Sequence, residues 1–187
     1  MTPKMLRPVR EDLSSRPILD ACCGSRMFWF DARNPNVLFV DNRRLDTQAI
    51  WKSGNGKAVR YCTVDPDVLA DFRHLPFPDE SFWHIVFDPP HLYSVGDNAW
   101  MAKKYGKLPK DWKPLIHDGF HECWRVLKAN GTLIFKWNED QIAVRENHRL
   151  HRRPTALWTQ KRPSVENALD GVCETTHESQ LSNSCLI

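Results

Sequence analysis

The apolar positions of this chain fall into four short segments, each bounded by polar or turn-forming residues. In chain order these segments are Ile18–Leu19, Val37–Val40, Ile85–Phe87 and 132–137. Their apolar character is continuous rather than alternating, which is typical of parallel strands buried on both faces of a sheet. Segments of helix length separate the strands, so the pattern predicts an α/β protein with helices on both faces of its sheet.

One of the separating segments has a helical period. Its apolar residues recur at helical spacing, at Ile116, Phe120, Cys123, Trp124 and Leu127. This spacing predicts an amphipathic helix that packs one face on the sheet. The run Ala-Asn-Gly at 129–131 is expected to end it, because glycine commonly follows the last helical residue.

An aspartate closes each of the first three strands, at Asp20, Asp41 and Asp88. Ligands of open α/β sheets bind beyond the carboxyl ends of the strands, so we expect the three carboxylates to line one crevice. The alternative is that all three are ordinary turn residues, since aspartate is common in turns. Their recurrence at three strand ends favours the crevice.

The composition suits a single domain with a substantial core. The chain has 187 residues and a formal net charge of +3. This balance permits nucleic acid as a partner without requiring it. The eight tryptophans are either core residues or stacking surfaces for a planar ligand or base.

Six cysteines occur without a Cys-x-x-Cys pair, and the adjacent Cys22 and Cys23 would strain to bridge each other. No signal peptide opens the chain and no apolar run is long enough to span a membrane. We therefore expect a reduced, cytoplasmic protein. His117 and His121 lie four residues apart, a spacing that can bind zinc, but no further ligand is placed and we expect no metal site.

The stretch SFWHIVFDPPHLYSVG, residues 81–96, joins the third strand to an acid, two prolines and a histidine. The prolines cannot continue a paired strand, so they hold the segment after Asp88 rigid. With the earlier run ACCGSRMFWFD, this pattern resembles the class I S-adenosylmethionine-dependent methyltransferases, and most of all small phage and prophage enzymes with an Asp-Pro-Pro-aromatic motif. The resemblance covers residues 17–141 and implies a Rossmann-like sheet, with a bacterial host cell as the location.

The resemblance implies a cofactor site for S-adenosylmethionine. The loop from Asp20 to Met27 would wrap its methionine part, with Cys22 and Arg26 standing where the family's usual Asp-x-Gly-x-Gly-x-Gly pattern has glycines. Asp41 would accept hydrogen bonds from the ribose. The residues assigned to the cofactor are Asp20, Cys22, Gly24, Ser25, Met27, Asp41, Asn42, Arg43, Asp71, Phe72 and Asp88. Phe72 is equally well interpreted as a core residue.

The catalytic motif implied by the resemblance is Asp88-Pro89-Pro90-His91. A carboxylate and a rigidly held carbonyl can accept the hydrogens of an aromatic amine and localise its lone pair for attack. His91 replaces the usual larger aromatic residue and would stack on the base or accept a proton. The implied reaction is methylation of adenine N6 or cytosine N4 in DNA. RNA, protein amides and small molecules are alternative substrates, and an inactive prophage remnant that only binds cofactor is the alternative outside the enzymes.

The segment 92–113 carries five lysines interleaved with Trp100, Tyr105 and Trp112. Such a loop can grip a phosphate backbone and stack bases, which predicts nucleic acid as the partner. The alternative is an ordinary solvated loop. No separate target-recognition domain fits in the chain, so this loop would carry recognition of a flipped or single-stranded base.

The character of the chain changes near Glu146. Residues 147–187 show little periodicity, and the antiparallel strand pair that should complete a class I methyltransferase sheet is expected to be missing. We hypothesise a one-base insertion near Glu146, because one reading of the shifted frame contains the apolar strand HWMVFVK. Residues 1–146 would then be the methyltransferase domain and 147–187 a disordered tail.

Overall fold

The computed structural model describes residues 15–148 and two short strands of the tail. The strands are β1 (Ile18–Asp20), β2 (Val37–Asp41), β3 (Leu45–Lys52), β4 (Val59–Val64), β5 (Val68–Leu69), β6 (Phe82–Phe87), β7 (Leu127–Asn138), β8 (Thr159–Lys161) and β9 (Ser184–Leu186). The helices are α1 (Trp100–Tyr105), α2 (Lys113–Val126) and α3 (Val144–His148). All four strands predicted from the apolar pattern are present.

A mainly parallel sheet forms the centre of the molecule. Its strand order is β5-β2-β1-β6-β7-β9-β8, and the first five strands are parallel to their neighbours. From β1 the chain builds outward through β2 to β5, and then returns to the other side of β1 to form β6 and β7. This reversal places a topological switch point between β1 and β6, where ligands of such sheets bind. The architecture is compatible with a Rossmann-like fold.

The core lies where α2 packs on the sheet. Ile116, Phe120 and Cys123 of α2 are buried. Phe120 meets Phe87 of β6 edge-on and packs at a tilt against Phe135 of β7, at ring-centroid distances of 5.1 and 4.7 Å. The predicted helix and its buried face are therefore confirmed. Burial of these large aromatic side chains fixes the end of β6 from which the candidate catalytic segment leaves the sheet.

The predicted end of this helix is wrong. The helix ends at Val126, and residues 129–131 lie inside β7 rather than after a helix. Asn130 adopts a positive φ of 65°, and the register of β7 against β6 shifts between Phe82 and His84. The turn-forming residues 129–131 therefore form an irregularity within the strand instead of ending it, because the pairing with β6 resumes at Thr132.

Not every segment of helix length between the strands forms a helix in the described residues. Turns join β1 to β2, and the chain from β2 to β6 contains the antiparallel β3–β4 hairpin instead of a helix. The hairpin is a separate two-stranded sheet.

The strand pair expected to be missing from the tail is present in short form. β9 pairs antiparallel with β7, and β8 pairs antiparallel with β9, over three residues each. The rest of the tail lies outside the described residues, as does the expectation that it is disordered. No helix of the described residues is long and apolar enough to cross a membrane.

Candidate active site

One cavity opens beyond the carboxyl ends of β1, β2 and β6. It is lined by every residue that the sequence analysis assigned to the site: Asp20, Cys22, Gly24, Ser25, Met27, Asp41, Asn42, Arg43, Asp71, Phe72, Asp88, Pro89, Pro90 and His91. The three strand-end carboxylates thus share one crevice, as the pattern predicts. The roles given to these residues stay predictions.

Asp41 ties the ends of β1 and β2 together. Its Oδ2 accepts a hydrogen bond from the Gly24 backbone N–H at 2.8 Å, and its Oδ1 accepts from the backbone N–H and Nε of Arg43 at 2.9 and 3.2 Å. A carboxylate offers about four lone-pair positions, so room for a further donor remains. Gly24 has a φ of +50°, and the nearest atom to an added Cβ is 3.9 Å away, so its backbone conformation is what favours glycine here.

Asp20 is the acid of the cavity with the most unusual environment. It is buried, and its oxygens accept hydrogen bonds from Trp29 Nε1 at 2.8 Å and from the Cys22 N–H at 3.3 Å. Burial raises the pKa of the Asp20 carboxyl to about 7, and the nearby carboxylates of Asp88 and Asp41 act in the same direction against those hydrogen bonds. Asp20 is therefore poised to change charge near neutral pH.

Asp71 and Phe72 divide between surface and core. The Asp71 carboxylate pairs with the Arg73 guanidinium at 2.6 Å, and hydrogen bonds from Arg73 hold the pKa of Asp71 below its usual value. Phe72 is 6% exposed and meets the ring of Phe87 edge-on at 5.2 Å. Phe72 is thus a core residue that also lines the cavity, and its contact with a cofactor stays a prediction.

Asp88 is paired with a lysine that the sequence analysis did not assign to the site. Lys136 of β7 donates from Nζ to Asp88 Oδ2 at 2.6 Å, and both residues line the cavity. The signal was present in the sequence, since Lys136 is the single charged residue of the apolar run at 132–137. The pair leaves Oδ1 of Asp88 as the oxygen available to a ligand.

His91 faces Tyr105 across the cavity wall. Their ring centroids lie 5.7 Å apart with an interplanar angle of 51°. Burial lowers the pKa of His91 below its usual value, so the imidazole is neutral at pH 7 and can accept a proton. The two predicted roles, stacking and proton acceptance, are both compatible with this placement.

The segment 92–113 contributes to the cavity through only part of its length. Lys104, Tyr105 and Lys107 line the cavity, whereas Trp112 is buried in the core. The prediction that Trp112 is available for base stacking is therefore wrong. Lys107 and Lys113 are engaged in ion pairs with Asp97 and Glu146, which reduces the positive charge that the loop offers to a polyanion.

Gly106 presses this segment against the proline pair. It follows α1 with a φ of +80°, and a Cβ added there would lie 2.9 Å from Pro90 Cγ. A side chain is excluded by both the backbone conformation and the contact. The close approach sets the position of Tyr105, the residue before Gly106, relative to His91. No role for Gly106 was predicted from the sequence.

The acids of the cavity carry their own counter-ions, with one exception. Asp41 pairs with Arg43, Asp71 with Arg73 and Asp88 with Lys136. Within residues 15–148, Asp20 has no ion-pair partner. A ligand cation would therefore gain most from approaching Asp20, because the other acids are already neutralised.

Neither thiols nor metal ligands add chemistry to this cavity in the described part of the chain. Burial raises the pKa of Cys22 and of Cys23, so neither is a thiolate near neutral pH. The described residues contain no group of three or more candidate metal ligands. His117 and His121 stack at 4.4 Å on α2.

Comparison with known proteins adds no relative to this description: no family model, no curated protein and no solved structure matches the chain.

Proposed function

We propose that the protein is an S-adenosylmethionine-dependent methyltransferase that modifies an exocyclic amino group of a nucleobase in DNA, adenine N6 or cytosine N4. The observation that carries the proposal is the shared cavity. The Asp88-Pro89-Pro90-His91 segment leaves the end of β6 and meets the loops that follow β1 and β2 at the switch point of the sheet.

The cavity fits a cationic cofactor by its donor set. Among the residues that the structure describes, Asp20 is a buried acid without a counter-ion, beside three acids that have one. The positive charges of S-adenosylmethionine would be stabilised there, and Asp41 retains acceptor capacity for ribose hydroxyls. The loop from Cys22 to Met27 and the Asn42–Arg43 segment would hold the rest of the molecule.

When bound, this cofactor would supply an electrophilic methyl carbon for an N–C bond to the amine, and its sulfur would keep the electron pair of the broken S–C bond. The chain's own residues prepare the amine. Asp88 Oδ1 and the backbone carbonyls held by the prolines accept the amine hydrogens and so localise the lone pair. Lys136 fixes the orientation of the Asp88 carboxylate through its other oxygen.

Methylation leaves one surplus proton on the amine nitrogen. His91 is the group placed to accept it, because its imidazole is neutral at pH 7 and lies in the same cavity as Asp88. Tyr105 supports the orientation of the imidazole from the opposite wall. After the reaction, the base carries the methyl group and His91 passes the proton to solvent.

The test has two stages on the full chain. Calorimetric titration with S-adenosylmethionine measures cofactor binding, and transfer of a labelled methyl group to DNA, RNA and protein measures turnover. We expect labelled DNA, and loss of labelling in Asp88→Ala with cofactor binding kept. Labelling of RNA or protein alone would reject DNA as the substrate, and cofactor binding without any turnover would identify an inactive remnant.

A further inference from the structure

The β3–β4 hairpin is rooted beside the candidate active site. β3 begins four residues after Asp41, and β4 ends at Val64, next to Asp65. Arg44 joins the two ends, since it donates to the Pro66 carbonyl at 2.8 Å and lies 3.5 Å from the Asp65 carboxylate. The eight residues of β3 extend about 26 Å at about 3.3 Å per residue, so the turn lies well away from the cavity.

The hairpin and α1 pack together as one body. Ile50, Cys62 and Val64 form a buried cluster against which Trp100 of α1 packs. The Arg60 guanidinium lies 5.2 Å from the ring of Trp51 and 5.1 Å from that of Trp100, an arrangement typical of cation–π contact. The helix that brings Lys104 and Tyr105 to the cavity is thereby attached to the hairpin.

The exposed surface of this body is strongly basic. Residues 43–60 contain five cations, Arg43, Arg44, Lys52, Lys57 and Arg60, and a single acid, Asp46. Lys52 and Lys57 are exposed, and neither forms an ion pair within residues 15–148. Arg43 and Arg44 pair with Asp41 and Asp65, so Lys52 and Lys57 supply the charge that the exposed surface offers to a polyanion.

Groups suited to sugar and base contacts accompany these cations. Tyr61 is 65% exposed, and the small residue Ala49 lies opposite it in the hairpin register. The hydroxyls of Thr47 and Thr63 lie 2.8 Å apart on the exposed surface. Exposed hydroxyl groups and lysines on the same hairpin match the groups that contact a nucleic-acid backbone.

We propose that the β3–β4 hairpin is a DNA-binding arm that contacts backbone phosphates on one flank of the target base. The inference rests on the proposed function, because the cavity defines where the base would lie. A reach of about 26 Å corresponds to about seven or eight base pairs at 3.4 Å each. Lys52 and Lys57 near the turn meet the far end of this flank, while Lys104 lies at the cavity.

The experiment compares two double variants that remove the same charge. Lys52→Gln/Lys57→Gln alters the arm, and Arg33→Gln/Lys128→Gln alters cations away from it. Binding of the full chain to a duplex of about 24 base pairs is measured by fluorescence anisotropy over a range of salt. We expect the arm variant to bind about tenfold more weakly and to lower the slope of log K against log salt by about two, since each lost phosphate contact lowers it by about one.

Duplex length supplies the second readout. On a duplex with about three base pairs on each side of the target, the arm variant and the wild type should bind equally, because the turn extends past the end. The double variant Lys52→Arg/Lys57→Arg keeps both charges and should bind the long duplex as the wild type does. An equal loss of affinity in both glutamine variants would overturn the proposal that the hairpin binds DNA. So would an equal loss of affinity of the arm variant on the long and the short duplex. If the wild type methylates DNA and the arm variant binds DNA as tightly as the wild type, the DNA-binding role of the hairpin is rejected while the proposed function stands. If the wild type neither binds nor methylates DNA, both the DNA-binding role and the proposed function are rejected.

Discussion

Lys136 of β7 and Asp88, which directly follows β6, meet at 2.6 Å inside the candidate active site. Their pairing brings together the C-terminal ends of β6 and β7 at the segment proposed to orient the substrate amine. Their side chains are 42% and 27% exposed, so the pair adds little to stability. Under the proposed function, the pair would fix one oxygen of Asp88 and leave the other for the substrate.

Replacing Lys136 should therefore affect turnover rather than folding. We expect Lys136→Met to lower kcat by about 10- to 100-fold, because a carboxylate free to rotate no longer holds the amine in line. Lys136→Arg should recover part of the loss. Labelled-methyl transfer and calorimetry make the measurement: an unchanged kcat, or a loss explained by weaker cofactor binding, would contradict a positioning role.

The ionisation of Asp20 predicts how cofactor binding depends on pH. The carboxyl has a pKa of about 7, so it is mainly neutral at pH 6 and mainly ionised at pH 8. An ionised Asp20 stabilises a nearby sulfonium. As the pH rises from 6 to 8, affinity for S-adenosylmethionine should therefore rise relative to that for S-adenosylhomocysteine, whose sulfur is neutral. The affinity ratio should change by at most about tenfold per pH unit below pH 7.

The two ligands share their amino-acid group, so its titration cancels in this ratio. Asp20→Asn keeps an oxygen that can accept from Trp29 Nε1 and should give a ratio independent of pH. Calorimetric titrations between pH 5.5 and pH 8.5 provide the data. A constant ratio in the wild type would show that Asp20 does not face the sulfonium.

Gly106 offers a test of the contact between α1 and the proline pair. Gly106→Ala introduces a positive-φ alanine whose Cβ lies 2.9 Å from Pro90 Cγ. We expect the free energy of unfolding to fall by about 2 to 4 kcal/mol, from backbone strain and overpacking together. Gly56→Ala is the matched control, since Gly56 also has a positive φ, of +69°, and nothing lies within 4 Å of its added Cβ. Urea denaturation of both variants decides the matter, and equal effects would reject the close contact.

Asn147 links the structure to the hypothesis of a shifted reading frame. The residue is fully buried, and neither polar atom of its side chain has a hydrogen-bond partner among the described residues. Removal of the hypothesised inserted base turns an Asn codon followed by a His codon into a codon for isoleucine or threonine. The frame-shift hypothesis thus supplies a residue suited to this buried position.

Asn147→Ile should accordingly raise the free energy of unfolding by about 1 to 3 kcal/mol, because an unpaired amide leaves the core. Asn147→Asp should lower it, since a carboxylate is costlier to bury. Chemical denaturation compares the three chains. Destabilisation by isoleucine would show that the position requires a polar side chain and would remove this structural support for the shifted frame.

The strands and the shared cavity were predictable because their signal is local. A continuous apolar run that ends in an acid specifies both a buried parallel strand and the edge at which its last side chain lies. The hairpin carried a weaker signal: four of the first five residues of β3 are exposed, although Asn55-Gly56 in its turn is a common hairpin dipeptide.

Other features depend on partners distant in the chain. Ile50 and Cys62 are buried under Trp100, which lies 38 positions after Cys62. The contact between Gly106 and Pro90 similarly arises only when the segment folds back on the motif. The helix end at Val126 was missed because pairing of Leu127 with Phe82 outweighs the turn preference of Asn130-Gly131.

The residues proposed to bind the cofactor and those proposed to act on the amine come from different parts of the chain. The loops after β1 and β2, assigned to the cofactor, come from the first half of the described residues, whereas Asp88, His91 and Lys136 follow or belong to β6 and β7. Because the two groups meet only at the switch point, the proposed function implies that mutations altering the choice of amine could accumulate in the later half while the earlier half stays unchanged. Such a division would allow a lineage of these proteins to diversify its targets without rebuilding the loops proposed to bind the methyl donor.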